Sequence, residues 1–479
     1  MTALPDFAPA LPEIVLLIAG MVYLLFGVLR DEDSTQVLSW ATIAIMAVAG
    51  VMIYRASGAT ATTFGGLFLV NSFTTYAKLL TLLGAGLTLV MVNSWAHTAG
   101  TARFEIPILV LFSTVGMLLM ISANDLIALY VGLELQSLSL YVLAAVHRND
   151  LRATEAGVKY FVLGALASGL LLYGASLVYG FADTTTFAGL AEATKGGADN
   201  IGVLIGIVFV ISGLAFKVSA VPFHMWTPDV YEGAPTPITA FFSVAPKIAG
   251  LALFLRVLYG PFGPMLAQWQ QVIEAIAILS MAWGAIAAIA QRNVKRLMAY
   301  SSIGNLGYAL VGLASGTMEG ARGLLFFMLI YILMNVGTFA CILSMRVNGK
   351  PVEDISALSG LSKTRPLTAL ALAALMFSMS GIPPLAGFWG KFYIFMAGVN
   401  AGLYTLSVVG VLSSAVAAFY YLRIIKVMYF DEPAPALETP DTSTSILIGA
   451  ASIAMLLLFI VPSPIANSAA VAAKSLFPG

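Results

Sequence analysis

The sequence predicts an all-α membrane protein that crosses the bilayer about fourteen times. Its 479 residues are 60% hydrophobic and only 10% charged, and their mean hydropathy is +0.94. A soluble domain carries about 25% charged residues, so this composition indicates a chain largely surrounded by lipid. Runs of roughly 20 apolar residues, each long enough to span a bilayer as a helix, follow one another along most of the chain.

We interpret fourteen apolar segments, separated by polar residues or by glycine and proline, as transmembrane spans. They lie near residues 11–29, 37–54, 75–95, 105–122, 125–146, 156–180, 201–221, 236–258, 270–290, 297–314, 321–345, 367–397, 402–428 and 444–462. The twelfth segment is too long for one straight span. The sequence Gly381-Ile382-Pro383-Pro384 predicts where it breaks.

The distribution of loop charges supports this topology. If the N-terminus lies outside, thirteen lysine and arginine residues fall in the odd-numbered loops, which then face the cytoplasm, and five fall on the opposite side. An excess of these residues in cytoplasmic loops is the usual arrangement in membrane proteins. We therefore expect both termini on the outer side of the membrane.

The spans also predict an internal repeat. Spans 4–8 and 9–13 each contain five helices, and an odd number of spans inverts the second set relative to the first. The fourth helix of each set is broken, near Pro222 and at Pro383-Pro384, a pattern typical of inverted-repeat transporters. We expect an N-terminal three-helix segment (1–104), two five-helix repeats (105–259 and 260–430) and a C-terminal transmembrane helix (431–479).

The most informative residues about function are four ionisable side chains deep inside the spans. They are Glu134, Lys217, Lys247 and Lys391. Such a group near the bilayer centre costs roughly 2.5–3.5 kcal/mol on insertion scales, and it usually marks a path for ions or protons.

Lys217 precedes the first predicted break by five residues. Pro222 removes a backbone donor, so carbonyl groups near Lys217 are left for water or side chains to satisfy. Burial disfavours the charged form of a lysine and a nearby carboxylate favours it. Glu134, the one carboxylate near the middle of a span, is therefore interpreted as the counter-charge of Lys217. The alternative is a fixed ion pair that holds two helices together.

Lys247 and Lys391 lie too deep to reach either surface easily. Lys247 is eleven residues into span eight, directly after Pro246, and Lys391 follows the second break by about two turns. We predict that both face a hydrated interior and carry protons. The alternative for Lys247 is a bond to carbonyl groups freed by a neighbouring kink, and for Lys391 it is structural support.

Several further polar residues are weaker candidates. Lys159 could bridge Lys217 and Lys247, or pair with Glu155 four residues earlier. His224, just past the first break, could relay protons or cap the broken helix. Lys78, near the end of span three, is expected to extend to the surface. Ordinary interhelical hydrogen bonding is the favoured role of four hydroxyl and amide side chains: Ser301, Ser302, Asn305 and Asn335.

A redox centre held by this chain alone is excluded by its few ligands. It has one cysteine, Cys341, and three histidines, whereas iron–sulfur clusters need about four thiolates. We predict no metal and no cofactor in this chain.

The chain closely resembles the antiporter-like membrane subunits of respiratory complex I, and among them the subunit N branch. Residues 226–250, WTPDVYEGAPTPITAFFSVAPKIAG, carry the likeness best, and residues 381–395, GIPPLAGFWGKFYIF, are the second match. Lysine rather than glutamate at position 391 separates the chain from a sister subunit. The resemblance covers nearly the whole chain.

The resemblance implies roles for the four residues. Glu134 and Lys217 resemble the pair thought to gate proton entry, Lys247 resembles the central relay, and Lys391 resembles the lysine that passes the proton toward the opposite face. It also implies neighbouring membrane-arm subunits, one of them antiporter-like, in a bacterial inner membrane. Flavin mononucleotide, iron–sulfur clusters and quinone would be bound by other subunits.

We therefore expect a proton-translocating membrane subunit of NADH:quinone oxidoreductase. A subunit of a Mrp-type cation/proton antiporter and a non-pumping membrane scaffold are the alternatives.

Overall fold

The computed structural model describes residues 5–30, 34–99, 103–196 and 200–477. Within these residues, twelve helices are long and apolar enough to cross a membrane, and two shorter apolar helices, Ile201–Lys217 and Pro366–Ser380, belong to predicted spans seven and twelve. The prediction of an all-α chain with about fourteen spans is confirmed.

The first half of the chain contains three peripheral helices and the first predicted repeat. A hairpin of β1 (Ala61–Thr63) and β2 (Phe68–Val70) lies between the second and third helices. The helices are α1 (Leu11–Leu29), α2 (Thr35–Arg55), α3 (Ser72–Ala99), α4 (Glu105–Ser122), α5 (Leu126–Ala144), α6 (Leu151–Ala182), the short α7 (Phe187–Ala193), α8 (Ile201–Lys217), α9 (Trp226–Gly233), α10 (Thr236–Ser243) and α11 (Ala245–Tyr259).

The second half contains the second predicted repeat, in which the fourth span is broken but the last span, Tyr404–Phe430, is continuous. A short hairpin of two strands with two residues each, β3 (Arg346–Val347) and β4 (Lys350–Pro351), follows the third long helix of this half. The helices are α12 (Leu266–Ile289), α13 (Val294–Ala314), α14 (Met318–Leu343), α15 (Leu361–Thr364), α16 (Pro366–Ser380), α17 (Gly387–Asn400), α18 (Tyr404–Phe430), α19 (Thr442–Ile460) and α20 (Ser463–Lys474). The inversion of this half relative to the first stays a prediction.

Both predicted breaks are present. Span seven ends at Lys217, four residues earlier than predicted, and resumes as α9. Span twelve ends at Ser380 and resumes at Gly387 as α17. A third break, at Val244 between α10 and α11, was not predicted. Pro246 lies in the first turn of α11, where backbone N–H groups make no hydrogen bond within the helix, so its lack of an N–H costs the helix nothing.

The core of the molecule lies in helices α10, α11, α13 and α14. The apolar part of Thr236–Tyr259 is completely buried, and that of Val294–Ala314 is 94% buried, against 28% for α1 and α19. The outer helices present apolar side chains because their solvent is lipid. The unpredicted helix α20 packs against α3 and α14, so the chain continues beyond the last predicted span.

Close helix contacts fix the first two helices of each half. A side chain on Gly116 of α4 would come within 2.4 Å of the Gln136 backbone nitrogen on α5. A side chain on Gly284 of α12 would come within 2.5 Å of the Gly304 nitrogen on α13. Small residues permit such close packing inside a membrane, and in the first half it sets the position of the α5 face that carries Glu134.

Candidate functional site

Lys217 ends helix α8 and lies in one cluster with Glu134 of α5. The Lys217 side chain is buried, and its ammonium donates a hydrogen bond to Ser137 Oγ at 2.7 Å. Ser137 follows Glu134 by three residues, so the two side chains lie on the same face of α5. Ser168 of α6 donates a hydrogen bond to Glu134 Oε1. Three helices therefore meet at these two charges.

Glu134 and Lys217 attract each other without forming a contact ion pair. Their charges interact, but among the ion pairs within the described residues none joins them at 4.0 Å or less. The Ser137 hydroxyl occupies the hydrogen-bonding position beside the ammonium instead. The role of Glu134 as counter-charge and the alternative of a fixed ion pair between two helices both stay predictions.

The break after Lys217 leaves carbonyl groups that neighbouring side chains satisfy. The Phe216 carbonyl accepts a hydrogen bond from the Trp226 indole nitrogen at 3.1 Å. The Lys217 carbonyl accepts one from Lys247 Nζ at 3.3 Å. The expectation that this break frees carbonyl groups for side chains is therefore confirmed in its geometry.

Lys247 is fully buried in the first turn of α11. Besides the Lys217 carbonyl, its ammonium donates a hydrogen bond to the Ser219 hydroxyl. The ammonium nitrogen also lies 4.6 Å from the centroid of the Trp226 ring, which is a favourable cation–π distance. Trp226 in turn is stacked on Tyr160 with the ring centroids 4.3 Å apart. All the partners of this ammonium are thus uncharged.

Lys391 has the same kind of surroundings in the second half. Its ammonium donates hydrogen bonds to Ser414 Oγ at 2.8 Å and to the Ser380 carbonyl at 3.2 Å. The nitrogen lies 4.7 Å from the centroid of the Tyr308 ring. The side chain also borders an open, mostly apolar cavity of about 680 Å³ between α17 and α18.

Lys247 and Lys391 lie at corresponding ends of the two broken helices. Lys217, whose carbonyl Lys247 contacts, is the last residue of α8, and Ser380, whose carbonyl Lys391 contacts, is the last residue of α16. Carbonyl groups at the C-terminal end of a helix carry partial negative charge. They stabilise an ammonium without supplying a carboxylate.

Buried hydroxyl groups occupy the second half of the core. Ser302 and Tyr331 share a hydrogen bond of 2.8 Å, and Ser301 and Tyr421 share one of 2.6 Å. Asn305 donates to the same Tyr421 hydroxyl at 3.1 Å. Ser301, Ser302 and Asn305 were predicted to make interhelical hydrogen bonds, and they do. The same prediction for Asn335 is wrong in this respect, because its amide donates at 2.9 Å to the Tyr331 carbonyl of its own helix. Sequence reasoning missed the tyrosine partners of the first three side chains, although tyrosine inside an apolar span is a usable signal.

Lys159 pairs with acidic groups rather than with the other lysines. It forms ion pairs of 2.7 Å with Glu155 and with Asp229 of α9, and its side chain is 41% exposed. Asp229 also pairs with Arg296 at 2.7 Å. The predicted pair with Glu155 is present, and the structure does not bring Lys159 between Lys217 and Lys247.

His224 lies in the break between α8 and α9. Its ring centroid is 6.2 Å from that of Trp283, and its Nδ1 atom is buried without a hydrogen-bond partner within the described part of the chain. The role of His224 as a relay stays a prediction.

Two lysines differ from what the sequence predicted. Lys78 does not extend to the surface: it is buried and forms an ion pair of 2.6 Å with Glu13 of α1. Lys295, which precedes predicted span ten and is one of the thirteen residues assigned to cytoplasmic loops, is buried in the first turn of α13 and pairs with Glu353 at 2.7 Å. Each acidic partner lies more than 55 residues away in sequence, so no local pattern could reveal it.

Within the residues that the structure describes, no group of three or more histidine, cysteine, aspartate or glutamate side chains is arranged to hold a metal ion. Cys341 is buried in α14. The polar groups that converge in the core are those of lysines, serines and tyrosines, which are suited to proton transfer.

Comparison with known proteins identifies the same fold and a named group of relatives. A family model described as "NADH:quinone oxidoreductase/Mrp antiporter, TM" matches residues 123–417. The NADH-quinone oxidoreductase subunit N of Rhodospirillum rubrum is 61% identical over 473 residues, which cover 98% of this chain and 97% of that protein.

Two solved assemblies contain chains of similar structure. A chain of respiratory complex I from Thermus thermophilus with bound aureothin is 33% identical, with a TM-score of 0.83, over 96% of this chain and 99% of that one. A chain of the Mrp complex from Dietzia sp. has a TM-score of 0.85 at 22% identity, over 97% of each chain. At that identity the second likeness concerns the fold alone.

Proposed function

Because this chain belongs to the NADH:quinone oxidoreductase/Mrp antiporter family of membrane proteins, we propose that it moves protons through the membrane as the N-type subunit of a bacterial NADH:quinone oxidoreductase. One observation carries this proposal. Lys217, Lys247 and Lys391 are buried inside spans, and within the described residues no carboxylate lies within 4.0 Å of any of the three.

Neutral partners make these lysines suitable proton carriers. Hydroxyl and carbonyl oxygens stabilise the ammonium form, while burial disfavours it. When Lys247 or Lys391 gives up its proton, no carboxylate in contact with it is left unpaired. Lys78, in contrast, touches Glu13, and losing its proton would leave a buried negative charge.

The first step involves Glu134 and Lys217. The two charged groups are not in contact, since Lys217 is bonded to Ser137 and Glu134 to Ser168, so the carboxylate can approach or withdraw. Approach favours the charged form of Lys217 and withdrawal favours proton release. Redox energy released elsewhere in the complex acts on this distance.

The proton then moves laterally to Lys247. The ammonium of Lys247 contacts the carbonyl of Lys217 itself, so any shift at the end of α8 changes both sites. The Ser219 hydroxyl, which accepts a hydrogen bond from Lys247, can donate a hydrogen bond in different directions as it rotates, so it can connect Lys247 to a neighbouring acceptor.

Transfer to Lys391 crosses the core helices of the second half. The hydrogen-bonded pairs Ser302–Tyr331 and Ser301–Tyr421 offer hydroxyl groups along this region, and Ser414 adjoins Lys391. The two five-helix units, residues 105–259 and 260–430, thus each contribute a lysine held at the end of a broken helix. Water completes the path between these groups.

The membrane potential makes this charge movement energetically important. Moving one charge across the bilayer is worth about 2.3 kcal/mol per 100 mV. That is comparable to a charge-assisted hydrogen bond of about 1.5–3 kcal/mol, so small changes around the lysines can set the direction of transfer.

The proposal includes a division of labour within the complex. Other subunits bind flavin mononucleotide, iron–sulfur clusters and quinone, and neighbouring membrane-arm subunits, one of them antiporter-like, cover the lateral faces of this chain. The chain lies in the bacterial inner membrane with both termini on the periplasmic side.

A Mrp-type antiporter subunit is the second candidate, because a Mrp chain has the same fold. The relative at 61% identity over nearly the full length favours the oxidoreductase. Co-purification with flavin and iron–sulfur proteins, rather than with small membrane subunits, distinguishes the two.

The central experiment replaces the buried lysines in the intact complex. Lys217→Ala, Lys247→Ala and Lys391→Ala should each lower the number of protons pumped per NADH oxidised in reconstituted vesicles. NADH oxidation by an artificial acceptor should persist, because it takes place in the peripheral arm. Lys350→Ala, on an exposed hairpin, is the control for the loss of one lysine.

The scaffold alternative predicts the opposite result. If assembled Lys217→Ala, Lys247→Ala and Lys391→Ala complexes pump as many protons per NADH as the wild type, the proposed path is wrong.

A further inference from the structure

A further ion pair, between the buried Lys295 and the partly exposed Glu353, lies at the end of the core that faces the predicted cytoplasmic side. Lys295 is 3% exposed, and its ammonium forms an ion pair of 2.7 Å with Glu353 Oε1. Asn293 donates a hydrogen bond to the other carboxylate oxygen, Glu353 Oε2, at 2.9 Å. The Lys295 ammonium also donates to the Ala234 carbonyl at 2.8 Å. The pair thus connects a loop carboxylate to the broken segment that contains α9.

This pair borders a polar cavity of about 700 Å³, which we call the vestibule. The vestibule lies among the loops that follow α5, α12 and α14. These are odd-numbered loops, which carry the excess of lysine and arginine and are therefore assigned to the cytoplasm. Its walls carry both signs of charge: Asp150, Glu232 and Asp354 with Arg152, Arg292 and Arg346. The buried Nε2 of His147, also in the wall, has no hydrogen-bond partner among the described residues.

The vestibule and Lys247 lie at opposite ends of α9. Ala234, under Lys295, directly follows the helix, and Trp226, against Lys247, begins it. Eight residues at 1.5 Å each make α9 about 12 Å long. Between its ends, the fully buried Tyr231 hydroxyl has no hydrogen-bond partner within the described residues. The Thr239 hydroxyl donates to the Tyr231 carbonyl at 3.0 Å.

We propose that Lys295 and Glu353 take up protons from the cytoplasmic vestibule and deliver them along α9 toward Lys247. This inference rests on the proposed function and adds the entry residues to it. The polar vestibule supplies water on one side of the pair, and the unpartnered Tyr231 hydroxyl offers a stopping point on the other.

One transfer cycle moves one proton and returns the ion pair to its initial state. A proton from vestibule water adds to the Glu353 carboxylate, and Lys295 loses its counter-charge. The Lys295 ammonium then gives one proton inward and becomes a neutral amine. The Glu353 carboxyl returns its proton to that amine, which restores the ion pair, and one proton has moved from the vestibule to the interior.

The ion pair is not required to hold the loop in place, because the backbone already does so. The Val294 nitrogen donates to the Glu353 carbonyl at 2.8 Å, and the Ile355 nitrogen donates to the Arg292 carbonyl at 2.9 Å. These two main-chain bonds fix the loop against the start of α13 on either side of the pair.

The first experiment separates a relay from a structural pair. Lys295→Arg keeps a cation beside Glu353, but arginine does not release its proton in proteins. A relay predicts that NADH:quinone reductase activity and the coupled proton uptake of the assembled complex fall by at least about tenfold. NADH oxidation by an artificial acceptor is unchanged. Glu353→Gln, made as a separate variant, removes the carboxylate that takes up the proton. If the Lys295→Arg and Glu353→Gln complexes both keep full quinone reductase activity and proton uptake, the proposal is wrong.

The second experiment does not depend on removing the pair. Val352 lines the vestibule, whereas Ser356 is exposed on the same loop and does not. Val352→Cys and Ser356→Cys are each treated with a bulky, membrane-impermeant thiol reagent in inside-out vesicles. The native Cys341 is 2% exposed, and the treated wild-type complex accounts for thiols of other subunits.

The label should block proton uptake in Val352→Cys and leave proton uptake in Ser356→Cys unchanged. When the label is removed from Val352→Cys by a reducing agent, its proton uptake should recover. Equal proton uptake in both labelled variants would overturn the vestibule as the entry. If the Lys247 and Lys391 variants of the previous section lose pumping while these tests are negative, only the entry residues are wrong. If those variants also pump normally, the proposed function itself fails.

Discussion

The buried pair of Lys78 and Glu13 should behave as a structural ion pair, in contrast to the lysines of the proposed path. The two side chains are 3% and 2% exposed, and their charged atoms are 2.6 Å apart. Removing one partner of such a pair leaves a buried, uncompensated charge, which costs about 3–5 kcal/mol. Glu13→Gln and Lys78→Met should therefore each destabilise the chain by about this amount.

The double variant should recover the stability. Replacing both charged groups by neutral ones of similar volume is often neutral or stabilising by about 1–4 kcal/mol. The coupling between the two sites should then be at least about 6 kcal/mol, because each single variant loses about 3 kcal/mol or more and the double variant loses nothing.

The assay is the temperature at which half of the chain is lost from detergent-solubilised complex, compared across the wild type, both single variants and the double variant. Protons pumped per NADH should be unchanged in whatever fraction assembles, because the pair lies outside the proposed path. Additive losses in the double variant would refute the reasoning about the buried charge. Lost pumping in a stable double variant would place the pair in the proton path instead.

Three further predictions follow from single contacts. Ser414→Ala removes the hydroxyl that lies 2.8 Å from the Lys391 ammonium, and a hydrogen bond to a charged group is worth about 1.5–3 kcal/mol. The rate of proton pumping should therefore fall about tenfold or more. The control Ser413→Ala removes a hydroxyl that is not bonded to Lys391 and should leave pumping unchanged. Gly116→Ala places a methyl group 2.4 Å from the Gln136 nitrogen and should cost about 1–3 kcal/mol, seen as less assembled complex on native gels, whereas Gly169→Ala, in open space, should assemble normally. The hydrogen bonds from the Ser356 side chain and backbone hold the pKa of Asp354 below its usual range, so they stabilise the loop above the unfolded-state value of about 3.9 and are lost as the pH falls through the folded-state value. The protection of residues 354–358 against amide exchange, relative to the intrinsic rate at each pH, should therefore fall only at acidic pH, and Asp354→Asn should remove that dependence.

The spans were predictable because hydropathy is a local property. Twenty consecutive apolar residues cross a bilayer whichever neighbours they have, and the bounds of α1, α4 and α14 lie within a few residues of the predicted segments. The breaks near Pro222 and Pro383 were predictable for a similar reason, since proline acts on its own helix.

The break at Val244 and the helix α20 were not predictable in this way. Position 244 is a valine, and the nearby Pro246 occupies the first turn of α11, where proline does not break a helix. The chain turns at Val244 between two completely buried segments. The twelve residues of α20 are too short for a span and pack on α3 and α14, which follows from tertiary contacts.

For the candidate site too, some features were predictable from the sequence and others were not. The depth of Lys217, Lys247 and Lys391 in apolar segments follows from the sequence. Their partners do not: Ser137 lies 80 residues from Lys217, and the Lys217 carbonyl lies 30 residues from Lys247. The wrong expectation for Lys78 has the same cause, because Glu13 is on another helix.

The sequence by itself determined that this chain spans a membrane many times, breaks two of its helices and buries three lysines that need a role. Only the tertiary structure decided which lysines have carboxylate partners and which have neutral oxygens and aromatic faces. Insertion into a bilayer depends on the summed hydropathy of each segment, whereas the charge state of a buried lysine depends on atoms within a few ångströms. Those atoms are brought together by the packing of helices that are distant in the sequence.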